Sequence, residues 1–102
     1  MSYEYSSKIS EKINIHDFIQ AINNGEIFSA KCLFYENNKA KIGFKFNSIS
    51  SHSWSEDAVL EIDSNCIYLI IDAGNKEQRQ RLISRIEDEL KNYGLSEMLE
   101  EL

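Results

Sequence analysis

Residues 58–71, AVLEIDSNCIYLII, decide the fold. Ala58, Leu60 and Ile62 alternate with Val59, Glu61 and Asp63, and the alternation resumes after Ser64-Asn65. Side chains of period two belong to an extended strand with two unlike faces. A two-residue Ser64-Asn65 turn pairs Ile62 with Ile67, Leu60 with Leu69 and Ala58 with Ile71. All those residues then share one face, as a buried sheet face requires. Val59, Glu61, Asp63, Cys66, Tyr68 and Ile70 form the opposite, mixed face.

A second hairpin lies upstream. Phe28, Ala30, Cys32 and Phe34 alternate with polar residues, as do Ala40, Ile42, Phe44 and Phe46. A two-residue Asn37-Asn38 loop would place Phe34 opposite Lys41 and Ala30 opposite Lys45. A three-residue Glu36-Asn37-Asn38 loop instead pairs Phe34 with Ala40, Cys32 with Ile42, Ala30 with Phe44 and Phe28 with Phe46. It keeps the apolar residues together and is the expected register, with Asn38 left-handed. Cys32 is then inward-facing, and both cysteines are expected to be reduced thiols packed in strands.

Helices flank this four-strand core. From Tyr3 the odd positions are mostly apolar as far as Ile15, which reads as one more strand. Ile15, Phe18, Ile19 and Ile22 then fall at helical spacing, with Asn14 as the N-cap and Asn23-Asn24-Gly25 as the stop. Asn75-Lys76-Glu77-Gln78 resembles a capping box and opens the second helix. Its apolar stripe is Leu82, Ile83, Ile86, Leu90 and Tyr93, and Gly94 ends it. Glu77 with Arg81 and Arg85 with Glu89 are i,i+4 pairs on its solvated side. The tail, LSEMLEEL, places Leu95, Met98, Leu99 and Leu102 at helical spacing and predicts a short terminal helix.

The order is β-α-β-β-β-β-α with that helical tail. The fold class is therefore α+β: an antiparallel meander sheet with helices packed on one face. The 102 residues make a single domain, 1–102. Hydrophobic residues at 42% and charged residues at 27% are a globular balance. The start, MSYEYSSKIS, has no apolar core of a signal peptide. Apolar runs are too short to span a bilayer, and a cytoplasmic location is expected.

Net charge is -6, carried by the second half. Residues 54–102 hold twelve acids against five basic groups, whereas residues 1–53 hold six lysines against five acids. An acidic chain without a basic patch argues against nucleic acid and against an anionic membrane surface. Phosphate-loop, zinc-protease, paired-cysteine and nucleophile-elbow motifs are all absent from the sequence. No catalytic residue, metal site or cofactor is expected.

The loop NSISSHSWSED, residues 47–57, is the most unusual segment. Long loops in compact domains often carry function. Trp54, the only tryptophan, suits a contact anchor. His52, Glu56, Asp57 and, on the mixed face, Tyr68 are the other candidate binding residues. The expected function is a non-enzymatic protein-interaction or regulatory domain of the inhibitor, immunity or adaptor type. Its partners would be a second copy, as a homodimer, and another protein. Leu33, Val59, Tyr68 and Ile70 on the outer sheet face, with Tyr3 and Tyr5 beside them, would make an apolar patch large for a monomer. The alternative is a small enzyme or ligand-binding domain, with a pocket between the sheet and the first helix and His16 and Asp17 at its rim.

Overall fold

The computed structural model describes residues 2–23, 28–37, 39–46, 56–95 and 98–102. The elements are β1 (Tyr3–Lys8), α1 (Ile15–Ile22), β2 (Phe28–Glu36), β3 (Lys39–Phe46), β4 (Ala58–Asp63), β5 (Cys66–Ile71), α2 (Lys76–Leu90) and β6 (Glu100–Glu101). The six strands form one antiparallel sheet in the order β2-β3-β4-β5-β1-β6. Phe18 and Ile22 of α1, and Leu82, Ile86 and Leu90 of α2, join the inward residues of the strands in one buried cluster. The architecture is α+β, with both helices on one face of the sheet. No helix among the described residues is long and apolar enough to cross a membrane.

The hairpin of β4 and β5 has the expected register, Ala58 with Ile71, Leu60 with Leu69 and Ile62 with Ile67. Ser64 takes φ 56, the left-handed conformation that a tight turn requires. The helix caps also match the reading. Asn14 accepts from the Asp17 N–H at 3.1 Å. Asn75 and Gln78 exchange two 2.8 Å bonds as a capping box. Both i,i+4 ion pairs form. After α2 a 3-10 turn runs over Lys91–Tyr93, and Gly94 at φ 87 ends it. A Cβ on Gly94 would collide with the Ser10 side chain, so this position needs glycine for space as well as for conformation.

The hairpin of β2 and β3 corrects the expected loop. Near the turn, Glu36 faces Lys39, Tyr35 faces Ala40 and Phe34 faces Lys41, so the connection is the two-residue Asn37-Asn38. Beyond Leu33 the pairs are Cys32 with Ile42, Ala30 with Phe44 and Phe28 with Phe46, as expected. Leu33 is the extra residue of a β-bulge, which shifts the phase by one. The bulge permits both a tight turn and matched apolar faces. Phe34 is thereby moved to the outer face and left exposed. Asn37 is left-handed at φ 56; Asn38 lies outside the described residues.

Two further expectations are overturned. The tail is not helical: Glu100–Glu101 pairs with Ser6 and Tyr5 as strand β6. Eight residues are too few for a helix to hold without strong packing, and the free edge of β1 offers backbone partners instead. Glu87, buried on α2, accepts from the Leu99 N–H at 2.7 Å, and Leu102 N–H donates to the Glu4 carbonyl at 2.9 Å. Met98 and Leu102 remain exposed. Tyr3 and Tyr5, expected beside the outer patch, lie on the helix face, opposite Ile71 and Leu69. The Arg79 guanidinium stands 4.0 Å over the Tyr3 ring, a cation–π contact.

Candidate functional site

A run of exposed apolar side chains lies on β2, beside α1. Leu33, Phe34 and Tyr35 are consecutive, exposed hydrophobic residues there. Tyr35 also walls a 610 Å³ groove with Ile15, His16 and Ile19 of α1, Ile13 before it, and Cys32. A smaller hollow of 220 Å³ shares Ile13, Ile15 and Tyr35 and extends the groove to Lys39. Lys12 lines both hollows, and among the described residues no carboxylate lines either. The size is that of a ligand or side-chain pocket.

Local sequence explains the groove. Ile15 and Ile19 are one turn apart on α1 and only half buried, because α1 ends its cover of the sheet near Ala30. Cys32 has the inward register expected of it, opposite Ile42. It is nevertheless exposed, not packed, because it lies past that cover. Its thiol donates to the Phe34 carbonyl at 3.5 Å. Cys66, on the outer face, is exposed as well, and both cysteines are free.

β2 is an edge strand, and one side chain defines which part of that edge is open. Asn23, the C-cap of α1, donates from Nδ2 to the Ala30 carbonyl at 3.0 Å. Its Oδ1 accepts from the Ala30 N–H at 2.6 Å. The amide thus pairs with Ala30 as a neighbouring strand would. The backbone groups of Ala30 therefore point away from β3. Alternation along an antiparallel strand directs those of Cys32 the same way. From Cys32 towards the turn, the edge runs beside the groove.

The predicted site residues are scattered. Trp54 and His52 lie outside the described residues. Glu56 is exposed at the entry to β4. Asp57 is 8% exposed and turned inward. Its carboxylate accepts from the Phe46 N–H at 2.9 Å, its own N–H donates to the Phe44 carbonyl, and its carbonyl accepts from Asp72 and Ala73. Asp57 therefore ties the ends of β3, β4 and β5 together. Tyr68 stands on the outer face and donates a hydrogen bond to Glu4. That bond holds the Tyr68 phenol above its ordinary range, with desolvation next. Neither Asp57 nor Tyr68 faces the groove. Tyr35 reads in the sequence as one more outward strand residue, and only the bulge turns it to the groove wall. His16 was placed at such a rim, and it lines the groove; Asp17 does not.

Among the described residues no group of three or more His, Cys, Asp or Glu side chains is placed to hold a metal ion. His16 and Cys32 share the groove wall, yet no hydrogen bond joins them, and the thiol is directed at Phe34. No protein-family model, curated protein or solved structure matches this chain. The functional reading therefore rests on the groove and the strand edge.

Proposed function

We propose that this chain is a non-enzymatic protein-interaction domain of the regulatory, inhibitor or immunity type, acting in the cytoplasm. It takes an extended segment of its partner along the edge of β2. The observation that carries this reading is the pairing of the Asn23 amide with Ala30. It closes the edge at Ala30 and leaves it open from Cys32, where the groove and three exposed hydrophobic residues lie. In strand addition, backbone hydrogen bonds supply affinity and pockets for alternate side chains supply specificity. Here one partner side chain enters between Ile15, Ile19 and Tyr35. Lys12 and Lys39, the charged residues among the described ones that line the two hollows, favour acidic flanking residues.

The test is a titration with two synthetic peptides of alternating leucine and glutamate, one of them N-methylated at every second amide. The unmodified peptide should shift the amide resonances of α1 and of Cys32–Glu36, and the methylated one should not. Tyr35→Ala should weaken binding by roughly 2 kcal/mol. Equal binding of both peptides, or shifts confined to other strands, would refute strand addition. A second reading, a small-molecule pocket, draws on the same groove with His16 and Cys32 on its wall. It gains ground if a small-molecule library, and neither peptide, shifts those residues.

A further inference from the structure

The open part of the β2 edge is bounded and has a spacing of its own. In a two-residue hairpin the residues flanking the turn, here Glu36 and Lys39, form a hydrogen-bonded pair. Tyr35, one step back, therefore faces Ala40 without bonds and turns its backbone groups outward. Cys32 directs its own outward as well. Among the described residues no hydrogen bond occupies these outward groups. In a regular strand two such residues stand an even number of positions apart. Here the extra residue Leu33 sets them three apart and leaves both on the helix face, at the groove wall. Asn23 closes the edge at Ala30 on one side, and the left-handed Asn37 ends the strand on the other.

We infer that a second copy of this chain occupies this edge, its β2 antiparallel to the first, about a two-fold axis normal to the sheet between Leu33 and Phe34. Cys32 of each copy then faces Tyr35 of the other, and Leu33 faces Phe34. Each facing Cys32 and Tyr35 exchange both N–H···O bonds of a hydrogen-bonded pair. Other symmetric registers fail. A Cys32–Cys32 centre sets Tyr35 opposite Ser29, and a Phe34–Phe34 centre sets Cys32 opposite Glu36, residues of unlike faces. A Tyr35–Tyr35 centre carries Cys32 past the turn. In the register that remains, each bulge is met by the same bulge, so the spacing agrees in both copies. Lys31 of each copy comes opposite Glu36 of the other, and its neighbour on β3 is Gly43, which has no side chain. Leu33 and Phe34, exposed in the single chain, cover one another across the axis. On the helix face each Tyr35 stands beside Cys32 of the other copy, so each groove gains a wall from its twin. The inference rests on the open edge that carries the strand-addition reading and adds its regulation: the twin holds the edge, and a partner segment enters by displacing it.

Cross-linking tests the register. Residues facing each other in a hydrogen-bonded antiparallel pair lie about 5.5 Å apart at Cα, within the span of a disulfide. Under mild oxidation, Tyr35→Cys in a Cys66→Ser background should join Cys32 of one chain to position 35 of the other. The product should run at twice the 11.8 kDa chain mass on a non-reducing gel, with the link located by peptide mapping. Cys66→Ser alone leaves the two Cys32 residues roughly 10 Å apart along the strands and should stay at 11.8 kDa. Tyr35 and Cys66 are both exposed, so these changes spare the core. In the unsubstituted chain, light scattering at high micromolar concentration should give the doubled mass. The Cys32 and Tyr35 amides should there gain hydrogen-exchange protection that dilution removes, while Asn23 protects Ala30 at every concentration. A monomer at that concentration, a map that joins other positions, or Cys66→Ser linking as readily as the double variant would overturn the inference. A monomer whose edge amides still shift with the leucine–glutamate peptide ends self-pairing and leaves strand addition standing. A dimer linked in this register that the peptide neither shifts nor dissociates supports self-pairing and ends strand addition alone.

Discussion

Asp57 illustrates how a polar residue in a suggestive loop can be wholly structural. Its carboxylate is spent on the Phe46 N–H, and its backbone on Phe44, Asp72 and Ala73. Removing it leaves a buried donor unpaired, at a cost of about 1–3 kcal/mol. Asp57→Ala should therefore lower the denaturation midpoint while leaving peptide binding at β2 intact. Unchanged stability would show that Phe46 finds another acceptor. Asn23 plays a double part by comparison. It caps α1 and occupies the edge at Ala30, so the same amide ends a helix and defines the start of an open strand edge. Asparagine is common where helices stop, and that accounts for its place in the sequence. Its second use depends on Ala30, seven residues on and across the chain reversal.

Among the elements, β6 is the one least explained by its own residues. Its place depends on Glu87 of α2, distant in sequence, whose carboxylate accepts from the Leu99 N–H at 2.7 Å. Glu87→Ala should release the tail, with hydrogen-exchange protection lost at Leu99 and Leu102 and a stability loss of roughly 1–3 kcal/mol. Glu87→Gln keeps an acceptor oxygen and should retain that protection. Protected amides in the alanine variant would mean that pairing with β1 suffices alone. The bulge in β2 is a comparable case. An extra residue at Leu33 sets Phe34 on the outer face and Tyr35 on the groove wall. Bulges at sheet edges also discourage uncontrolled pairing.

At the scale of the whole molecule, three phenols respond to the fold in one direction. Burial raises Tyr5, with Glu101 adding to it, and burial raises Tyr93, with Glu89 adding to it. The hydrogen bond to Glu4 raises Tyr68. The unfolded chain loses these protons near the ordinary value of about 10, and the folded chain loses them at higher pH. Above about pH 10 the unfolded state therefore binds fewer protons, and stability falls as pH rises. Below that value the contribution is fully present. Denaturant midpoints followed from neutral to strongly alkaline pH should be level and then decline, and Tyr68→Phe should soften the decline. A midpoint that stays level through the alkaline range would contradict these surroundings for the three rings.

The strands of the β4–β5 hairpin, both helix caps and the α+β class were determined by the sequence alone. Each follows from residues that lie close together in the chain, such as Ser64-Asn65 between two alternating runs, or Asn75 with Gln78. The position of β1 between β5 and β6, the bulge at Leu33 and the extended tail were decided only by tertiary structure. Their determinants are distant partners: Leu69 for Tyr5, Ile42 for Cys32, Glu87 for Leu99. Alternation marks a strand's two faces but not its neighbour, and one inserted residue exchanges those faces. The candidate groove is a product of such an exchange. His16 could be placed at its rim from helical spacing, whereas Tyr35 reached it only because the sheet absorbed one extra residue.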